Sequence, residues 1–239
     1  MYYRVTWTVV SYGVVQSVVL GAAALPSALM MQLGTALLPD VTWARVTAGA
    51  VGMLPMYLLF ALSLIHVTAA AGWLLRWRTE PEAFMPIREF GWPVLRWARG
   101  LMLTHVVRIL VGIPLRGSPL WSYFVRLNGA RIGRRVWLNS TGIMDHSLLS
   151  FGDDTVVGSD VHLSGHMVEG GIVKTGFVRV GANVTIGVGS VVGLGVTIGD
   201  RCQVGALSFV GKGTQLEPDA AYAGAPVHRI TVHEREATA

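Results

Sequence analysis

The chain is expected to fold as an apolar α-helical hairpin followed by a parallel β-helix, and two patterns carry that expectation. Residues Val180 to Gln215 run in one unbroken phase of six, as VGANVT, IGVGSV, VGLGVT, IGDRCQ, VGALSF and VGKGTQ. Ahead of them, Val5 to Met31 and Val46 to Leu75 contain no Asp, Glu, Lys or Arg. In the repeat, an aliphatic residue opens each block, a glycine follows it, and a small or branched residue takes the fifth place. Neither a helical period nor strict alternation gives this pattern, whereas short strands joined by corners, each with one inward aliphatic anchor, do. The second-place glycines are expected to supply corner geometry that a β-carbon would obstruct. Three faces then make one coil of about eighteen residues.

The helical part comes first in the chain. With 52% hydrophobic and only 14% charged residues among 239, the composition is too apolar for an ordinary soluble chain. Each uncharged run is long enough to span a bilayer, and the first far exceeds the apolar core of a signal peptide. Together they form a predicted transmembrane hairpin over 1–78, joined by a link with Pro39, Asp40 and Arg45. Small residues at Gly21 to Ala24 and at Ala48, Gly49, Ala50 and Gly52 are expected to let the two backbones approach. His66 reads as a neutral imidazole bonded to a helix neighbour.

Arginines set the orientation. Arg45 stands alone in the link, while Arg4 precedes the first run and Arg76, Arg78, Arg88, Arg96 and Arg99 follow the second, so both ends are expected in the cytoplasm. The net charge of +5 is concentrated beside the apolar runs, which points to an anionic membrane surface and not to nucleic acid. Residues 79–127 are expected to hold an interfacial helix from Trp92 to Gly112, its arginines toward head groups and its aromatics at the boundary, ended by Pro114. His105, within it, has no evident partner. The segment PLRGSPLWSYFVRLNGARIG then leads into a β-helix over 128–239. The single cysteine, Cys202, takes a fifth-place inward position, which leaves no disulfide within a monomer and points to a reducing compartment.

Two interruptions of the sixfold phase mark the candidate site. Phe151, Val157 and Leu163 are one residue out of step with Ile132 and Leu138, which places a small bulge near Ile143 to Ser150. A longer slip between Leu163 and Val180 reads as a loop extruded over about Gly165 to Val178, carrying His166, Glu169 and Lys174. Loops thrown out from a rigid scaffold are common seats of chemistry. His146, beside Asp145 in the bulge, reads equally as a solvated turn or a second catalytic group, and His162 should face outward.

The hexapeptide blocks resemble the left-handed β-helix acyltransferase superfamily. The membrane hairpin, the NGARIG entry and the HMVEGGIVKTGFVRVG segment are similar to the membrane-bound terminal units of ε-poly-lysine-synthetase-type non-ribosomal peptide synthetases. The resemblance implies the left-handed sense, a histidine general base, and a thioester donor whose pantetheine arm lies between adjacent β-helices. His166 is the matching residue, with Glu169, or Asp145 from the bulge, to fix its tautomer. Lys174, Lys212, Arg179 and Arg229 are candidates for donor phosphates, and Gly224 and Pro226 match the segment that turns toward the donor's nucleotide.

The expected activity is therefore transfer of an acyl or aminoacyl group from acyl-CoA or a phosphopantetheinyl carrier to a small hydroxyl or amine acceptor, without a metal. Two alternatives stand beside it: a peptide-bond-forming condensation unit served by an adenylation and carrier protein, and a non-catalytic scaffold on membrane lipid. A homotrimer is expected, because cyclic closure buries identical prism faces.

Overall fold

The computed structural model describes residues 2–37 and 42–230. Pro39 and Asp40 of the link, and residues 231–239, lie outside the described residues. Helices α1 (Tyr2–Ala36) and α2 (Thr42–Leu74) lie along one another. The Ser27 hydroxyl donates to the Met56 carbonyl at 2.8 Å, tying the pair together. Of the small residues expected at the contact Ala23 is buried, as are Val19 on α1 and Ala61, Leu64, Ile65, Thr68, Ala69 and Gly72 on α2, whereas Gly21 and Gly49 face open space. His66 bonds to a helix neighbour as expected: one ring nitrogen lies 2.7 Å from the Leu62 carbonyl and the other 3.0 Å from the Tyr123 hydroxyl.

Helix α3 (Trp92–Val107) runs into a π-helical turn, Arg108–Gly112, and then α4 (Ile113–Leu115). Pro114 has no N–H for the Leu110 carbonyl, and the Tyr57 hydroxyl donates to that oxygen instead, at 3.1 Å. The helix thus passes Pro114 and stops one residue later. Three helices, Tyr2–Ala36, Thr42–Leu74 and Trp92–Leu115, are long and apolar enough to cross a membrane by length and composition. The α3 arginines do not form the outward row expected of them. Arg96 pairs with Glu80 at 2.6 Å, and Arg99 is buried.

The connection after Pro114 contains a further helix, α5 (Pro119–Leu127), whose start is capped by the Ser118 hydroxyl. Its Trp121, Phe124 and Val125 are buried, and the Trp121 indole N–H donates to the Ser140 carbonyl at 2.8 Å. Burying side chains of this size contributes roughly 1.5–3 kcal/mol each. Here they close the first coil and join one continuous core that runs from Val19 and Ala23 of α1 to Tyr222.

The β-helix has three parallel ladders. Val180 pairs beside Phe151 and Ile198, Ile186 beside Val157 and Val204, and Val192 beside Leu163 and Val210. All six block-opening aliphatics are buried, as is Cys202. The corner chemistry corrects the sequence reading. Positive φ falls on the fourth residue of each block, Asn183, Gly189, Gly195, Arg201, Leu207 and Gly213, and not on the second-place glycines. Those from Gly181 to Gly205 serve close approach instead: a β-carbon on Gly187 would lie 2.4 Å from the Ala206 nitrogen of the next coil.

Both interruptions are ordered. The bulge is a strand, Ile143–Met144, followed by a 3-10 turn, His146–Leu148. The expected loop is a β-hairpin. Strands His166–Glu169 and Ile172–Thr175 pair antiparallel, and Phe84–Pro86 from the α2–α3 connection pairs with the second of them. Leu163 and Val192 pair across 29 positions instead of 18, so eleven residues leave the prism and return to it in register.

Candidate active site

The two interruptions meet. Asp145 adopts a left-handed conformation, φ 54°, which Asp tolerates better than most residues, and this turns its carboxyl away from the strand direction. The hairpin starts at Gly165, where a β-carbon would lie 2.9 Å from two atoms of Leu148 and 3.1 Å from the Asp145 β-carbon. Glycine lets the hairpin settle directly on the bulge. His166 Nδ1 then lies 2.5 Å from Asp145 Oδ2.

An ionised carboxylate only accepts hydrogen bonds, so Nδ1 is the donor to it, and in the neutral tautomer that this bond favours Nε2 carries the lone pair. Among the described residues Nε2 has no hydrogen-bond partner. The His166 side chain is 15% exposed and that of Asp145 only 1%. The Trp97 ring meets the imidazole edge-on at 4.9 Å, limiting its rotation.

The Asp145 carboxylate is satisfied by four donors. Thr79 Oγ1 and Trp97 Nε1 reach Oδ1 at 2.9 and 3.1 Å, and the Ser164 hydroxyl reaches Oδ2 at 3.2 Å beside His166. Burial opposes its ionisation, but the bond from His166, its charge, and the Thr79 and Trp97 bonds outweigh burial and hold the carboxyl below its ordinary range. Thr79 lies on the α2–α3 connection and Trp97 on α3, so the helical unit completes the site. Sequence reading placed Trp97 at a membrane boundary and did not single out Thr79 or Ser164. No local spacing connects them to Asp145.

Glu169 is not the partner of His166, which corrects that expectation. In a β-strand, residues three apart face opposite sides of the sheet. Glu169 instead takes Lys174 at 2.8 Å and Lys212 at 2.6 Å, and the two lysines hold its carboxyl down at about 2. These two candidate phosphate ligands are thus already bridged by a carboxylate. Arg229 pairs loosely with Glu217 at 3.5 Å, and Arg179 lies over the Phe177 ring at 5.0 Å. Gly224, φ 100°, turns the chain before the closing strand His228–Arg229.

The other histidines divide by burial. His162 lies with Arg108, Thr141 and Asp160 in an open cleft of about 410 Å³. Partial burial, then the charges of His166 and Arg108, lower its pKa. His146 is neither solvated nor paired with Asp145. It is buried with Nε2 3.1 Å from the Ile143 carbonyl, and burial lowers its pKa to about 4. Because the unfolded imidazole binds protons near 6.5 and the folded one does not, stability present above that pH is lost as pH falls from 6.5 toward 4, by up to about 3 kcal/mol. Melting temperatures in detergent between pH 7 and 4.5 should therefore drop more for the natural chain than for His146→Gln. Parallel curves would contradict this account.

The comparisons with known proteins agree with the repeat. A family model described as "Hexapeptide repeat of succinyl-transferase" matches residues 177–212. Residues 177–212 therefore carry a hexapeptide repeat, and the curated relatives that the chain resembles include acyltransferases. It is 27% identical over 212 residues to delta-poly-L-ornithine synthetase of Acinetobacter baumannii (strain AB307-0294), covering 84% of this chain and 15% of that protein. It is 35% identical over 116 residues to galactoside O-acetyltransferase of Escherichia coli (strain K12), covering 45% of this chain and 56% of that one. The chain therefore spans less than two thirds of the length of either relative. A hexapeptide-repeat acetyltransferase of Vibrio cholerae O1 biovar eltor, solved with acetyl coenzyme A, aligns with a TM-score of 0.40 at 23% identity, over 43% of this chain and 60% of that one.

Proposed function

We propose that this chain is a membrane-anchored acyltransferase in which His166 is the general base. The observation that carries the reading is the His166–Asp145 pair, with Nε2 left free. In the reaction, Nε2 takes the proton of an acceptor hydroxyl or amine as that group attacks the carbonyl carbon of an acyl thioester. The carbon–sulfur bond breaks, the new ester or amide bond forms, and the imidazolium returns the proton to the departing thiolate. No protein nucleophile is required, because the thioester is already activated. The donor is acyl-CoA or a carrier-bound phosphopantetheine, with Lys174, Lys212, Arg229 and the turn at Gly224 as proposed contacts. The likeness to the superfamily also supports a left-handed winding sense.

The likeness to a poly-ornithine synthetase over 84% of this chain favours one refinement, an aminoacyl donor and an amine acceptor, hence formation of a peptide bond. Thiol release by the purified chain with a panel of acyl-CoA and aminoacyl-pantetheine donors tests both forms. Turnover with neither class, in the presence of hydroxyl and amine acceptors, would sink the catalytic reading and leave a membrane scaffold.

The proposed topology puts both ends and the β-helix in the cytoplasm. A cysteine introduced at Ser159 should be shielded from an impermeant thiol reagent in intact cells, whereas one at Asp40 should react. Labelling at Ser159 from outside would reverse the orientation.

We also propose a homotrimer. The outward prism face carries exposed Val191 and Phe209 side by side in register, with Val188 and Leu207 at 51% and 77% exposure. His162 is the next residue on the same outward ladder. Native mass spectrometry in detergent should give a trimer, and Leu207→Glu with Phe209→Glu should give monomers. A monomer for the natural chain at micromolar concentration would remove the shared interface.

A further inference from the structure

The start of α1, the segment after α2 and the first turns of α3 meet around Arg99. Its residue is 9% exposed, and it is the only buried Lys or Arg among the described residues. The guanidinium lies 5.3 Å from the Trp77 ring and 6.0 Å from the Trp92 ring. Its Nη2 reaches Thr8 Oγ1 at 3.4 Å, while its Nε is buried with no hydrogen-bond partner. On the same Trp92 ring, at 5.8 Å, sits the guanidinium of the exposed Arg4.

Among the described residues neither Arg4 nor Arg99 has a carboxylate partner. Arg96, three residues earlier on α3, has Glu80 at 2.6 Å. A buried cation is costly unless it is paired and hydrogen-bonded. Aromatic faces supply only part of that compensation, and Arg4 brings a second cation to the same Trp92 ring. What the arrangement lacks is an anion able to accept several N–H donors at once. Phosphate has that chemistry, with charge and oxygens matched to the planar fork of arginine.

We propose that Arg99 and Arg4 hold a phosphate group at this junction, with Trp77 and Trp92 as its walls. The junction lies where the apolar run of α1 begins and that of α2 has ended, a position suited to the phosphate of an anionic lipid headgroup. A free phosphate has the same chemistry. The site is independent of the reaction assigned to His166.

The test uses the full chain, purified and delipidated in a neutral detergent, with native mass spectrometry as the readout. Phosphatidylglycerol, phosphatidylcholine and inorganic phosphate are added separately to the natural chain, Arg4→Gln, Arg99→Lys and Arg99→Gln. The expected result is at least tenfold greater retention of phosphatidylglycerol by the natural chain than by Arg4→Gln or Arg99→Gln, with Arg99→Lys between them and phosphatidylcholine unaffected by any change. Retention of inorganic phosphate alone, with the same dependence on both arginines, assigns the site to free phosphate. Because Arg4 is exposed, Arg4→Gln reads the site even where Arg99→Gln fails to fold. Equal retention of phosphatidylglycerol by the natural chain and Arg4→Gln, with no arginine-dependent phosphate binding, overturns the proposal.

Discussion

Replacing His166 with Ala is expected to lower turnover by about 10²- to 10⁴-fold, the usual contribution of a positioned general base. The imidazole is only 15% exposed but lies on the inserted hairpin, outside the stacked coils, so the prism core should survive its loss. Melting temperature and oligomeric state should therefore stay close to those of the natural chain. Glu169→Gln provides the contrast. That carboxylate bridges Lys174 and Lys212 and does not touch His166, so turnover at saturating donor should stay within a few-fold, with any loss appearing in donor KM. Once a donor and acceptor are found, steady-state rates for the two variants decide the matter. A His166→Ala protein that is folded and nearly as fast as the natural chain would remove the general base.

Asp145→Asn is expected to cost a comparable factor, roughly 10²- to 10⁴-fold in kcat, for a different reason. An asparagine amide can donate to Nδ1, which would leave the proton on Nε2 and take away the lone pair that the reaction needs. The charge that stabilises the imidazolium disappears at the same time. Some loss of stability should accompany the change, because Thr79, Trp97 and Ser164 all donate to this buried carboxylate; about 1–3 kcal/mol is the expected scale for such a group. Trp97→Phe separates the two effects. It removes one donor to Oδ1 and leaves the His166–Asp145 bond in place, so it should lower stability while costing kcat less than Asp145→Asn does. If Asp145→Asn and Trp97→Phe lowered kcat by the same factor, the tautomer argument would fail and Asp145 would be structural only.

The placement of Thr79 and Trp97 gives the helical unit a part in building the site. Two of the four donors on the carboxylate come from outside the hexapeptide repeat, and Phe84–Pro86 adds a strand to the hairpin that carries His166. Construction of the site thereby depends on residues 79–97, which connect the apolar helix α2 to α3. A β-helix cut away from its helices would keep its ladders and lose half of what holds Asp145.

The sequence alone determined the repetitive and the apolar parts of this protein. An aliphatic anchor every six residues defines the prism because the same backbone step recurs at each corner, and the uncharged runs define long helices because few other structures satisfy so many apolar positions in succession. It also singled out His166 and Asp145, each by a break in that period. The pairing of those two was decided only in the tertiary structure. Glu169 is three residues from His166 in sequence, yet the strand turns it away, whereas Asp145 is 21 residues distant and arrives because one coil stacks on the next. Thr79 and Trp97 lie 66 and 48 residues from Asp145. Periodicity records what each residue does to its own stretch of backbone. A contact across coils, or between a helix and a bulge, depends on how separate elements pack, and that leaves no regular spacing in the chain.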